Sequence, residues 1–164
     1  MDDVLVINMV MNKNLSFKSN GLYFFDSSTL DWLPLACEEV NLNLFFDGVN
    51  FVYFSNNFCP ACRLFNLVWY PFVEEKFSKK DNIYFYVALC NWFTENCDSS
   101  CARSAFLYFN IKASPTIVII IKLKDKIIKH YIEGNIKEKF LYEILNQAIK
   151  IYENLAKNSQ TNYH

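Results

Sequence analysis

The chain has 164 residues, 52% of them apolar and 20% charged, with a formal net charge of -1. That length and apolar share suit one buried core and exclude a disordered chain, while interspersed Lys and Glu exclude the single-sign field that gathers nucleic acid or an anionic membrane. The longest apolar runs, such as Thr116 to Ile121, fall far short of the roughly 20 residues that cross a bilayer, so no transmembrane helix is expected.

Residues 1–20 read as an N-terminal extension. Met1-Asp2-Asp3-Val4 is acidic ahead of a short apolar stretch and lacks the positive start and long apolar centre of a secretory leader, which gives a cytoplasmic expectation. A domain is expected over 21–156. Leu22 to Phe25 is a short apolar run suited to a first strand, and Asp26-Ser27-Ser28-Thr29 supplies capping side chains for a helix over Leu30 to Val40. Asn50 to Ser55, aromatic and β-branched, reads as a buried strand that runs straight into Cys59-Pro60-Ala61-Cys62. From Cys59 to Lys76, Leu64, Leu67, Val68 and Phe72 follow helical spacing, with Pro71 as a kink.

Ile83 to Leu89 reads as another buried strand, and Ser100 to Phe109 as a helix with Ala102, Ala105, Phe106 and Phe109 on one face. Ser114-Pro115-Thr116 leads into a β-branched strand over Ile117 to Ile121, and a charged turn over Lys122 to Lys126 joins it to an extended segment over Ile127 to Ile132. Asn135 with Glu138 resembles a capping box for a long helix striped by Ile136, Phe140, Leu141, Ile144, Leu145, Ala148, Ile149, Tyr152 and Leu155. Lys157 to His164 is a polar tail expected to fray. The order predicted is β-α-β-α-β-α-β-β-α, an α/β fold with a central mixed sheet flanked by helices.

The Cys59–Cys62 spacing lets two cysteines at a helix start approach within disulfide reach. The unpaired N–H groups and positive end of that helix favour thiolate, so Cys59 is expected to be the exposed nucleophile and Cys62, one turn in, the buried resolving thiol. Pro60 suits the first turn, where a missing N–H costs little. Two cysteines alone are equally half of a zinc site or a pair of buried thiols; the preceding buried strand tips the reading towards thiol–disulfide exchange.

Phe51-Val52-Tyr53-Phe54-Ser55-Asn56-Asn57-Phe58-Cys59-Pro60-Ala61-Cys62-Arg63 resembles the strand, loop and active-site helix of thioredoxins and protein disulfide isomerase domains. Phe109 to Val118 resembles their approach through a cis-proline to the next strand, and Ile132-Glu133-Gly134 their closing strand and glycine. The resemblance spans roughly residues 20 to 155. It implies a thioredoxin-like fold, dithiol–disulfide exchange with protein substrates at Cys59 and Cys62, and a cis Pro115 packed beside Cys59. It further implies a substrate surface of Phe58, Pro60, Ala61, Ser114 and Pro115, with the Ser114 backbone offering strand-like hydrogen bonds. Partners expected are proteins with disulfides or dithiols and a recycling reductase or oxidase; a monomer is expected, with no nucleic acid, membrane, cofactor or metal. The family pattern is not complete. Tyr53 stands where the buried Asp belongs and Leu89 where its Lys belongs, Phe58 replaces Trp, and the helix proline lies late, at Pro71. Lys122-Leu123-Lys124-Asp125 stands where glutaredoxins have a Gly-Gly pair, which argues against glutathione.

Cys90, Cys97 and Cys101 cluster between a strand and the next helix. A second disulfide among them, free buried thiols, and a zinc site completed by Cys59 and Cys62 all remain open; the resemblance favours Cys90 with Cys97, as in some protein disulfide isomerase domains. Cys37 reads as a core thiol in the first helix. His130 and His164 support no Cys/His dyad, and Arg63 is a solvated side chain or a thiolate stabiliser. The alternative function is a redox-inactive adaptor with structural or zinc-bound cysteines.

Overall fold

The computed structural model describes residues 19–77 and 80–161. Its strands are β1 (Gly21–Asp26), β2 (Asp31–Leu35), β3 (Gly48–Asn56), β4 (Ile83–Cys90), β5 (Thr116–Leu123) and β6 (Lys126–Glu133). Its helices are α1 (Pro60–Pro71), which continues as a π-helical segment over Phe72–Phe77, α2 (Ser100–Tyr108) and α3 (Glu138–Thr161). The strands form one sheet in the order β2-β1-β4-β3-β5-β6. Only β3 and β4 run parallel; β1 pairs antiparallel with β2 and β4, and β5 antiparallel with β3 and β6.

β3 is the centre of the fold because every one of its residues is buried. Side chains alternate across the sheet, so Val49, Phe51 and Tyr53 enter a core beneath α1 and α3, while Val52 and Phe54 enter a second core beneath α2. Two-sided burial explains why β3, β4 and β5 read as continuous apolar runs rather than alternating ones. Gly48 opens β3 at φ +136°, where a Cβ would collide with the Asn82 carbonyl. None of the helices among the described residues is long and apolar enough to cross a membrane.

Where a helix was expected over Leu30 to Val40, the structure has the hairpin strand β2. The Asp26 carboxylate accepts from the Ser28 amide at 2.9 Å, the Ser28 hydroxyl at 2.7 Å and the Thr29 hydroxyl at 3.1 Å, closing a turn instead of capping a helix. Leu30 follows at φ 55°, which reverses the chain. Pro34 is tolerated because β2 is an edge strand. Trp32 anchors the hairpin to α1: its ring centroid lies 5.0 Å from that of Phe25 and 5.7 Å from that of Tyr70, and its indole N–H donates to Glu74 at 2.9 Å. The order is therefore β-β-β-α-β-α-β-β-α, with the α/β class unchanged. At the C-terminus α3 continues to Thr161, into the segment expected to fray. Of the N-terminal extension over 1–20, only Ser19 and Asn20 fall among the described residues.

Candidate active site

β3 ends at Asn56 and α1 begins at Pro60, so Cys59 falls at the N-cap of the helix. Its sulfur accepts the Cys62 amide at 3.1 Å, satisfying one of the N–H groups that a helix start leaves unpaired. Pro60 occupies the first helical turn, where its fixed φ suits the helix. Cys59 was expected to be exposed; it is 5% exposed, against 0% for Cys62. Its neighbours in the chain are more open: Phe58 is 59% exposed, Pro60 is exposed and Ala61 is half-buried. Burial pushes the Cys62 thiol up to about 11, helped by its contact with Cys59 and opposed by the Asn56 backbone and the Ser114 hydroxyl. Arg63 does not reach the sulfurs with a hydrogen bond; its guanidinium donates to the Asn57 carbonyl at 3.2 Å.

The apolar positions that follow helical spacing divide: Phe72 is buried and Val68 packs against the core, while Leu64 and Leu67 do not. Cys62, Phe65, Trp69 and Tyr70 face the core, whereas Leu64 and Leu67 are 65% and 68% exposed. The helix is apolar on two sides. Burying Cys62 against β3 fixes its rotation, and the larger aromatic rings take the core side.

Beneath the pair, Tyr53 occupies the place where the family pattern has an acid. Its hydroxyl donates to Asn66 at 2.8 Å and lies 3.3 Å from the Cys62 carbonyl, while its ring packs edge-on against Phe65. Burial first, and then the nearby Cys62 thiol, raise its pKa well above the ordinary 10.0, so the phenol stays neutral. Leu89 is buried in β4 and brings no charge. The dithiol thus sits over a neutral, hydrogen-bonded floor.

Opposite the cysteines, the Ser114–Pro115 peptide is cis. The Ser114 carbonyl accepts from the Cys59 thiol at 3.5 Å, and its hydroxyl accepts from the Asn56 side chain at 3.0 Å. Pro115 is buried, and its carbonyl accepts from the Gly134 amide at 2.8 Å.

Asn56, which sequence reasoning passed over, ties these parts together. Its side chain donates to Ser114 and accepts from the Phe93 amide at 2.7 Å, and its carbonyl accepts from the Cys59 amide at 3.2 Å. Asn91 supports the next residues: its carbonyl accepts from the Phe58 amide at 3.1 Å and its side chain from Asn57 at 2.9 Å. An Asn at the end of a wholly buried strand was the available signal, because a buried amide must find partners.

The remaining cysteines form two disulfides, Cys37–Cys101 with Cα atoms 4.8 Å apart and Cys90–Cys97 with Cα atoms 4.7 Å apart. Cys37 is therefore neither helical nor a free core thiol: it follows β2 and joins that connection to the start of α2. With Cys97 and Cys101 each bonded elsewhere, the four-thiolate zinc arrangement does not form. Cys90 lies beside Asn56 in the sheet, so its disulfide closes the loop that carries Asn91 and Phe93. His130 is exposed on the edge strand β6, away from both cysteines of the pair in sheet order, and His164 lies outside the described residues.

No protein-family model and no curated protein sequence matches the chain. Among solved structures it is similar to thioredoxin from Aeropyrum pernix, with a TM-score of 0.56 and 16% identity over 81% of this chain and 98% of that one. Weaker likenesses include Trichomonas vaginalis thioredoxin, with a TM-score of 0.44 and 13% identity over 60% of this chain and 78% of that one. Chloroplastic thioredoxin z gives a TM-score of 0.47 and 20% identity over 71% of this chain and 96% of that one. At such identities the first likeness establishes the fold: the chain has the thioredoxin-like fold.

Proposed function

We propose that the chain is a thiol–disulfide oxidoreductase acting on protein disulfides through Cys59 and Cys62. The observation that carries this reading is the convergence on one sulfur: Cys59 receives the Cys62 amide at 3.1 Å and faces the Ser114 carbonyl at 3.5 Å. In reduction, the Cys59 thiolate attacks one sulfur of a substrate disulfide; a Cys59–substrate bond forms and the other substrate sulfur leaves as thiolate. Cys62 then loses its proton and attacks Cys59, forming Cys59–Cys62 and releasing the second substrate thiolate. Two electrons pass to the substrate, and solvent supplies the protons that neutralise its thiolates. Oxidation is the same path reversed, and its direction is set by the potential of the pair against that of the recycling partner.

Phe58, Pro60, Ala61 and Ser114 are the proposed contacts for the substrate chain, with buried Pro115 fixing the Ser114 backbone opposite Cys59. Four of the six cysteines are already joined in two further disulfides, and such bonds persist in oxidising compartments. The proposal therefore favours action there, in the manner of protein disulfide isomerase domains, over the cytosol. Trapping tests it. Cys62→Ser should accumulate a mixed disulfide between Cys59 and disulfide-bonded insulin, visible by mass spectrometry, and Cys59→Ser should abolish insulin reduction. Unchanged insulin reduction by Cys59→Ser, with no trapped adduct, refutes the reading.

A further inference from the structure

Cys62 is 0% exposed, yet the second half of the exchange needs it as an anion. The titratable groups that face it are Cys59, in the same turn of α1, and Tyr53 in β3, whose phenol stays neutral. Burial disfavours the anion, so the polar groups at the sulfur decide how readily it forms. One of them, Ser114, meets the two cysteines with opposite chemistry. Its carbonyl, which can only accept, faces the Cys59 thiol at 3.5 Å, and its hydroxyl is a hydrogen-bond neighbour of Cys62 that favours the anion.

The direction of that hydroxyl is set from outside the pair. The Phe93 amide can only donate, and it donates to the Asn56 side-chain oxygen at 2.7 Å. This pins the Asn56 amide, itself 1% exposed, with its NH2 group turned to the Ser114 oxygen at 3.0 Å. The Ser114 oxygen therefore accepts from Asn56, and its single hydrogen is left to donate elsewhere. Resting on the oxidoreductase reading, we propose that Asn56 orients the Ser114 hydroxyl to donate to the Cys62 sulfur as its proton leaves, which makes Ser114 a catalytic residue and Asn56 a positioning residue for the resolving step. Donation to a sulfur that is gaining charge is stronger than donation to the neutral thiol, so the contact lowers the barrier more than it stabilises the resting pair. In that step the Cys62 proton passes to solvent, and the sulfur's electron pair forms the bond to Cys59. The Cys59–substrate bond breaks with its pair on the substrate sulfur, and the hydroxyl keeps its own proton throughout. Attack by Cys59 on the substrate needs no anion at Cys62.

The test separates the two steps. Reduced full-length protein is mixed with a cysteine peptide held as a mixed disulfide to a chromogenic thiol: release of the chromophore reads attack by Cys59, and acid quench with intact mass spectrometry reads decay of the Cys59–peptide adduct, which is resolution by Cys62. Ser114→Ala should slow resolution at least about tenfold relative to attack, the scale of a lost hydrogen bond to a charged group, and should move the pH profile of resolution upward. Ser114→Thr, which keeps a hydroxyl, should restore both. Asn56→Ala should slow resolution in the same sense, and adding it to Ser114→Ala should lower the ratio no further; where Asn56→Ala does not fold, the shorter polar Asn56→Ser takes its place. A ratio and profile unchanged in Ser114→Ala, or shifted as much in Ser114→Thr, overturn the catalytic role, and an additive loss in the double variant overturns the positioning role. If no adduct forms even in Cys62→Ser, the oxidoreductase reading fails. The hydroxyl is then decided by NMR titration of isotope-labelled Cys62: a midpoint raised by Ser114→Ala and restored by Ser114→Thr supports the donation, and an unmoved midpoint overturns it.

Discussion

Cys62 and Tyr53 set the local chemistry of the pair through burial rather than through a charged neighbour. A thiol raised from 9.0 to about 11 holds its proton longer when folded than when unfolded. The stability this gives is fully present below about pH 9 and declines as pH rises towards 11. Urea unfolding between pH 8 and 11 should show that decline, and Cys62→Ala should flatten it; an identical slope in both proteins contradicts the assignment. Tyr53→Phe removes the hydroxyl that bridges Asn66 and Cys62, and leaves the half-buried Asn66 oxygen without that donor. We expect a loss of about 1–2 kcal/mol, read from the urea midpoint; an unchanged midpoint contradicts the bridging role. The sequence located both cysteines and marked Tyr53 as standing in the place of the family's buried Asp; its position under the pair comes from the structure. Asn56 and Asn91 escaped it because their roles depend on three loops meeting, which no local pattern records.

The elements around the site divide between those that hold the molecule and those that hold the cysteine loop. Cys37–Cys101 closes a loop across a sequence separation of 64 residues, Cys90–Cys97 one across 7. Loop entropy then assigns about 4 kcal/mol to the first and about 2–3 kcal/mol to the second. C37A/C101A should lower the guanidinium midpoint more than C90A/C97A does. The site should respond in the opposite order, since Asn91 and Phe93, which position Asn57, Phe58 and Asn56, lie inside the Cys90–Cys97 loop. A shift of the Cys59–Cys62 potential in C90A/C97A, with little change in C37A/C101A, is the expected result; equal shifts contradict it. Strands β1 and β3 to β6 and all three helices were legible because their apolar runs and periodicities are strong. The turn after β1 and the strand β2 were not. Asp26-Ser27-Ser28-Thr29 serves a turn as readily as a cap, and Trp32 takes its place by packing against Phe25 and Tyr70. Which apolar residues of α1 face outward was not legible for a related reason: Leu64 and Leu67 fit helical spacing as well as Phe65 and Trp69 do, and only the placement of Cys62 decides between them.

At the scale of the whole molecule, the two cores lock β3 between α1 and α3 on one side and α2 on the other, so the cysteine pair stands on the most buried strand. Four cysteines are committed to disulfides and two are free at the end of that strand. The fold class was readable from the sequence because motif, strand and proline agreed; the pairing of Cys37 was not, since its partner lies in a distant helix. The account rests on a division of labour among the cysteines, with Cys59 and Cys62 cycling while the others stay joined. Equilibration in glutathione buffers of graded ratio, followed by acid quench, alkylation and peptide mass spectrometry, reads that division directly. The account predicts one reversible two-electron transition confined to Cys59 and Cys62, with Cys37–Cys101 and Cys90–Cys97 protected throughout. A pair that never oxidises, or a transition spread over the other cysteines, would contradict it.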